Sequence, residues 1–584
     1  MVFLSGDHKA ARPLARFRRV GTAPSWADLI AFLLLAAVAV LIVRGAEDMS
    51  QSLAVLHTTP VTLDVARLPE YALRTTLRMF LALGASLLFT FTVATLAAKS
   101  RKAELVIVPA LDILQSVPVL GFLTFTVTFF MGLFPGRQLG VECAAIFAIF
   151  TSQAWNMAFS FYQSLRTIPN DLDEVSRQFG FSPWRRFVRL ELPFATPGLV
   201  WNVMMSMSGG WFFVVASEAI TVGDTTVTLP GIGSWLSLAI ARQDMKAVAI
   251  GVGAMAVVIL LYDQLVFRPI VAWADKFRFE QTASQDRPGS WLYDLVRRTR
   301  WARMVVAPLS WPAKAMAAID WPSAPPLPKV RLAPAASRAL DGLWVAAVVI
   351  AALGAAWLLW SFISVSLTWT DALTAFGLGL ATLARVVVLI ALATLIWVPI
   401  GVWIGLRPAW AERLQPIAQF LAAFPANVLF PFAVAAIVAW RLDPNIWLSP
   451  LMVLGTQWYI LFNVIAGASA IPSDLKEAAG IFGLKGWQWW RQVGLPGIFP
   501  YYVTGALTAS GGSWNASIVA EAVTWGDKHL EAAGLGSFIA KATASGDYAR
   551  VALGVAVMSI FVITFNRTLW RPMYRFAERR LRLD

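Results

Sequence analysis

IPNDLDEVSRQFGFSPWRRFVRLELPFATPG, residues 168–198, returns as IPSDLKEAAGIFGLKGWQWWRQVGLPGIFPYY at residues 471–502. The offset is 303 residues, and it sets Pro169 on Pro472, Glu174 on Glu477, Gly180 on Gly483, Pro193 on Pro496 and Pro197 on Pro500. The register continues without a gap. SEAITVGD at Ser217 faces AEAVTWGD at Ala520, GIGS at Gly231 faces GLGS at Gly534, Asp244 faces Asp547, and the Arg-Pro pair at Arg268 faces that at Arg571. Upstream, Pro109 and Pro118 have counterparts at Pro416 and Pro425 with a small shift in offset. A self-match of this length is the mark of a duplicated module.

Each copy is rich in apolar runs. The chain has 584 residues, of which 58% are hydrophobic and 14% charged, against about 25% charged in a soluble globular chain. Too few polar residues remain to cover a water-exposed surface, and lipid removes that need. A helix crosses the bilayer with about 20 mostly apolar residues, and runs of that order recur near 26–44, 79–98, 105–134, 140–163, 194–222, 245–271, 341–364, 373–406, 416–440, 446–468, 498–523 and 548–569. The ten-residue alternation of a membrane barrel is missing from the sequence. The reading is an all-α integral membrane protein of about 12 transmembrane helices in two six-helix repeats. The expected divisions are a first module over 1–271, a polar, basic, Pro- and Trp-rich linker over 272–340, and a second module over 341–584. An even helix number returns the chain to its starting side, so the two copies are parallel, related by an axis along the membrane normal.

The formal charge of +14 could suggest nucleic acid, but its distribution follows topology. With alternate loops assigned to opposite sides, roughly 36 of the 48 Lys and Arg fall on one side, as cytoplasmic loops require. Both termini and the linker are therefore expected in the cytoplasm of an inner (plasma) membrane, with anionic lipid as the partner of the basic residues. No nucleic-acid motif supports the other reading. Within the linker, Trp291 to Met304 mixes Arg with Trp and Leu, which suits either a helix on the cytoplasmic leaflet or a plain disordered linker.

The repeated loop is the functional signal. Leu475 to Phe482 joins good helix formers to an acidic start. Gly483 can supply the positive φ that ends a helix, a second short helix begins near Lys485, and Pro496 suits the first turn of the returning membrane helix. The expected shape is a bracket standing out of the bilayer. Glu477-Ala478-Ala479, Gly483 three residues beyond Gly480, and Gly-Leu-Pro at 494–496 resemble the EAA loop of binding-protein-dependent ABC importer permeases. The first copy departs from it, with Glu174-Val175-Ser176 for Glu-Ala-Ala, while Gly180 and Pro193 persist. The resemblance implies the type I importer permease fold, a coupling helix in each copy, two cytoplasmic ABC ATPase subunits docked on the loops, and a periplasmic or lipid-anchored solute-binding protein. The Glu218 and Glu521 segments, each followed by Gly-x-Gly, resemble the nitrate, sulfonate, taurine and bicarbonate class. In that class one module per chain is usual, so this chain resembles a fused dimer.

Glu218 and Glu521 lie in or near apolar helices, where a carboxylate is costly. They either gate a pathway or cap backbone amides of the Gly-rich segment. Asn515 and Trp525 are candidates to face the pathway. The paired glycines Gly209-Gly210 and Gly511-Gly512 favour close helix packing. No phosphate loop occurs in the sequence, so ATP and Mg are expected on partner subunits and no cofactor in this chain. Cys143 stands alone and the three histidines are far apart, so neither a metal site nor catalytic residues are expected. The competing reading is an ion-coupled secondary transporter built from parallel repeats.

Overall fold

The computed structural model describes residues 61–117, 119–222, 225–277 and 334–580. The expected helix at 26–44 and the linker stretch around Trp291 lie outside the described residues.

The first module opens with α1 (Val65–Lys99), followed by α2 (Arg101–Ser116), α3 (Val119–Leu133), α4 (Gln138–Arg166) and the short α5 (Asn170–Gln178). Helix α6 (Pro183–Glu218) runs back through the module. A two-stranded antiparallel hairpin, β1 (Ala219–Val222) and β2 (Thr225–Thr228), joins it to α7 (Ile232–Ala241) and α8 (Met245–Ala274). The second module begins with α9 (Pro334–Ser364), whose first residues fall inside the stretch assigned to the linker. It continues with α10 (Trp369–Gly405), α11 (Pro408–Ala423), α12 (Ala426–Ala439), α13 (Pro444–Leu454), α14 (Gln457–Ser469) and α15 (Ser473–Ile481). Then come α16 (Leu495–Ala520, entered through helical turns at Gly486–Trp489 and Trp490–Gly494), β3 (Ala522–Trp525), β4 (Lys528–Glu531), α17 (Leu535–Ala544) and α18 (Tyr548–Ala577). The β3–β4 pairing sets Ala522 opposite Glu531, as β1–β2 sets Ala219 opposite Thr228.

Among the described residues six helices are long and apolar enough to cross a membrane, or seven if the bent pair α13–α14 is one span. Of the other expected runs, 26–44 lies outside the described residues, and the rest fall short of that length or hydropathy for two physical reasons. The runs at 105–134 and 416–440 are each broken. Val117 and Phe424 precede prolines and adopt extended backbone, with ψ 127° and 126°, as the ring of a following proline demands. Other helices carry polar residues that face protein rather than lipid, such as Gln138, Glu142 and Gln153 on α4, all buried. By contrast α9 is exposed along nearly all of 342–364, with Leu, Ile, Val and Trp outward, a surface that lipid covers.

The core of the second module gathers Val386, Ile390, Val464, Val503, Ala509, Trp514 and Met558, all buried, from α10, α14, α16 and α18. It reaches across to Val119, Leu123, Val127 and Phe213 of the first module. Two irregularities are duplicated, whereas the π-turn at Thr90–Ala94 has no counterpart in α10. Single π-turns sit at Phe187–Glu191 and Trp490–Gly494, and again at Asp263–Phe267 and Asn566–Trp570, each pair 303 residues apart.

The bracket differs from the expected helix, turn and helix in one respect. Pro193 and Pro496 do not open a new helix. The helix starts ten residues earlier, at Pro183 and Gly486, and continues through the π-turn into the bilayer segment. A proline cannot donate to the ladder, and the widened turn just before it absorbs the break in hydrogen bonding.

Candidate functional site: paired brackets and paired buried carboxylates

Two sets of residues recur in both modules, one at each end of the helices. At the bracket end, α5 and α15 close in the same way. Gly180 has φ 64° and Gly483 has φ 63°. Phe181 N–H donates to the Ser176 carbonyl at 3.1 Å and Leu484 N–H to that of Ala479 at 2.9 Å. This six-residue closure satisfies carbonyls that the helix end leaves open, and it needs a left-handed residue at the glycine position. Ser176 and Ala479 face inward and are buried, while Glu174 and Glu477 are exposed. Ala478 is half-buried. The tips carry large apolar side chains in water-facing positions: Phe179 is 74% exposed and Phe482 is 79% exposed. Ile481 and Trp487 extend that surface in the second copy. Each tip thus sets an exposed apolar patch beside an exposed carboxylate.

The two brackets are braced by different chemistry. In the first, Arg186 pairs with Glu191 at 3.1 Å and with Asp173 at 2.5 Å, Lys99 pairs with Glu191 at 2.9 Å, and Arg177 pairs with Asp173 at 2.7 Å. In the second, Trp489, Gly494 and Lys476 stand where Arg186, Glu191 and Asp173 stood. The Trp489 ring lies so close over Gly494 that a Cβ there would fall 2.6 Å from it.

At the hairpin end each module buries a carboxylate. Glu218 accepts from Thr75 Oγ1 at 2.7 Å, from Arg78 Nη1 at 2.7 Å and from the Gly233 N–H at 2.7 Å. Glu521 accepts from Thr382 Oγ1 at 2.9 Å, from Arg385 Nη1 at 3.0 Å and from the N–H groups of Gly536 and Ser537 at 2.7 and 3.3 Å. Each carboxylate thus caps the N-terminus of the short helix α7 or α17, and each is also an ion-pair partner. Of the two readings of these glutamates, the amide cap is the one the geometry shows. The Gly-x-Gly motifs follow from it. A Cβ at Gly231 or Gly534 would meet the carboxylate at 2.2 Å. One at Gly233 or Gly536 would meet a backbone carbonyl at 2.5 or 2.3 Å.

Sequence reasoning missed the partners. Thr75, Arg78, Thr382 and Arg385 are not among the residues that the sequence singles out. The available signal was Thr-x-x-Arg at 75–78 and again at 382–385, offset by 307 residues like Pro109 and Pro416. The two clusters are not equal. Arg78 is fully buried and is also held by Glu142 at 2.6 and 2.7 Å. Arg385 is 15% exposed and has one carboxylate, Glu521. Asn445 accepts from the Ala533 N–H at 2.9 Å, and Arg385 Nη1 donates to the carbonyl of the same residue at 2.9 Å.

Asn515 and Trp525 lie at the seam between modules. Asn515 Oδ1 accepts from the Val119 N–H at 2.9 Å, and the buried Trp525 offers its carbonyl to Gln243 at 3.3 Å. Ser208 and Tyr459 meet across the same seam at 3.3 Å, and Asn427 donates to the Phe212 carbonyl at 3.1 Å. The paired glycines divide in role. A Cβ at Gly210 would meet Gln153 at 2.7 Å and one at Gly512 would meet Thr456 at 2.5 Å, so both serve packing, whereas one at Gly511 would meet nothing within 4 Å. Among the described residues no group of three or more His, Cys, Asp or Glu is placed to hold a metal ion.

Comparison with known proteins bears on this geometry. The family model described as "Binding-protein-dependent transport system inner membrane component" matches twice, over residues 89–268 and 397–582. The chain is 29% identical over 186 residues to the nitrate import permease protein NrtB of Leptolyngbya laminosa, covering 32% of this chain and 63% of the relative. It is 30% identical over 164 residues to the bicarbonate transport system permease protein CmpB of Synechococcus elongatus, covering 28% and 56%. It is 29% identical over 168 residues to the glycine betaine/proline betaine transport system permease protein ProW of Escherichia coli, covering 29% and 43%. The match thus spans 63% or less of each of these three relatives. With the family model matched in both modules and the two bracket loops repeating, this chain belongs to the family of inner membrane components of binding-protein-dependent transport systems, as a two-module, multi-pass member.

Proposed function

We propose that the chain supplies both halves of the membrane pathway of an ATP-driven importer. Two cytoplasmic ABC ATPase subunits engage the brackets around Glu174 and Glu477, and a solute-binding protein delivers a small solute at the hairpin end. The observation that carries this reading is the pair of brackets. They share one glycine-closed geometry and each exposes a glutamate beside an apolar tip. A rigid bracket continuous with a membrane helix transmits the motion of a docked partner to that helix. Since α6 and α16 run from the brackets to Glu218 and Glu521, closure of an ATPase pair would move the hairpin ends as well. The relatives named for nitrate and bicarbonate favour a small anion as solute. The bracket end is assigned to the cytoplasm because Lys and Arg collect there.

The secondary-transporter reading needs carboxylates free to bind a coupling ion. Glu218 and Glu521 are instead engaged by three and four donors. The test is Glu477→Arg in the chain co-purified with its ATPase subunits and reconstituted in liposomes. ATP hydrolysis should continue while solute uptake stops, with the thermal unfolding midpoint unchanged. Uptake at the original rate, or uptake by the chain alone under an ion gradient, would remove the docking role.

A further inference from the structure

A cavity of about 500 Å³ lies between the modules, within the roughly 300–1,000 Å³ range of small-molecule sites. Its walls come from α6 and α8 of the first module and from α11 and α14 of the second. The stacked pair Trp201 and Phe462, with ring centroids 5.4 Å apart, bridges the modules at its side. None of its lining comes from α16, the counterpart of α6. A chamber on the pseudo-twofold axis would take residues from both, so this one is off the solute path. Nor is it duplicated: Thr504, Phe565 and Asn566 stand where Trp201, Tyr262 and Asp263 line it.

The lining is almost wholly apolar, with Met204, Met205, Met207, Trp211 and Phe420 around it. Its polar lining is Ser208 on α6 and Tyr262, Asp263, Gln264 and Arg268 on α8. Arg268 lies nearest the bracket end, half-exposed and bonded through Nε to Asp263 at 3.2 Å. Tyr262 lies six residues deeper, ~9 Å at 1.5 Å per residue, and Ile259 lies beyond it. The Tyr262 hydroxyl is buried and has no hydrogen-bond partner. A buried hydroxyl without a partner costs free energy, and its ring is fixed against Phe80, Trp211 and Phe267. What fits has an anion at the interface, an acceptor below it and a hydrocarbon tail. We propose that this cavity holds one acyl chain of an anionic phospholipid, with the phosphate at Arg268 and the ester carbonyl accepting from Tyr262. A lipid seated there contacts both modules and therefore senses their relative position.

The test counts lipids retained by the full chain. The protein is incubated with phosphatidylglycerol or phosphatidylcholine vesicles, exchanged into detergent and weighed by native mass spectrometry. One phosphatidylglycerol per chain should survive exchange. Ala423→Trp, which fills the cavity, should lose it with an unchanged unfolding midpoint. Arg268→Gln should bind phosphatidylglycerol roughly tenfold more weakly, through loss of a charged contact, and no longer prefer it to phosphatidylcholine. Tyr262→Phe, which keeps the fold, should weaken both lipids. Retention unaltered in Ala423→Trp and Tyr262→Phe would mean annular lipid only and would overturn the proposal. Recovery of oleate or a non-lipid molecule in place of the phospholipid would overturn it too.

Discussion

Among the described residues Arg385 pairs with one carboxylate, Glu521, where its counterpart Arg78 pairs with two, Glu218 and, on α4, Glu142. The helix around it changes as well. Where α4 is continuous, the second copy is bent by 42° between α13 and α14. The two hairpin ends are therefore built to the same plan with different rigidity.

Removing a partner from the fully buried cluster is costly because a charge stays behind without compensation. Arg78→Gln should lower stability by about 3–5 kcal/mol. Arg385→Gln should cost less, since Glu521 keeps Thr382 and two backbone amides. Thermal unfolding of the two variants in detergent compares them directly, and equal losses would contradict the asymmetry.

The Gly-x-Gly motifs give a sharper contrast. Gly231→Ala and Gly534→Ala would each push a Cβ into a buried carboxylate. Both should unfold at clearly lower temperature, by an amount typical of overpacking, about 1–3 kcal/mol. Gly480→Ala should be neutral or slightly stabilising, since its Cβ meets nothing and helix propensity favours alanine.

Salt should distinguish the brackets. Exposed and half-exposed ion pairs weaken as ionic strength rises, whereas an aromatic ring on a glycine does not. Amide hydrogen exchange across 170–191 should accelerate between low and high salt, and exchange across 473–494 should change little. Glu191→Gln should reproduce the first effect at low salt, and Trp489→Ala should loosen the second bracket at any salt.

Tyr459→Phe and Ser208→Ala remove the hydroxyl pair that joins the modules at 3.3 Å. A double-mutant cycle on solute uptake should show a coupling of about 0.5–1.5 kcal/mol. Strict additivity would mean that the two hydroxyls do not act together during transport.

Much of this architecture could be read from residue types. The duplication was legible because Gly180 and Gly483, or Glu218 and Glu521, meet conditions that few other residues meet: a left-handed turn and a buried amide cap. The helix breaks after Val117 and Phe424 were not, because they interrupt runs whose apolar composition is the same on both sides. Arg78 and Arg385 were not, because nothing near them in the sequence supplies the cap carboxylate they pair with. The cap carboxylate lies 140 residues from Arg78 and 136 from Arg385, a separation that local pattern does not connect. The lipid-facing role of α9 was legible as a span, but its near-complete exposure required the packed structure.

The widened turn at Phe187–Glu191 fixes an angular phase. Everything from Leu192 to Glu218 is rotated, relative to the bracket, by the one residue the turn accommodates, about 100° of a helix. Deleting a single residue there would straighten the rod and swing Glu218 off Gly233. Exposed bracket tip and buried carboxylate are thus clocked to one another along a single shaft, and the second module repeats the same setting at Trp490–Gly494.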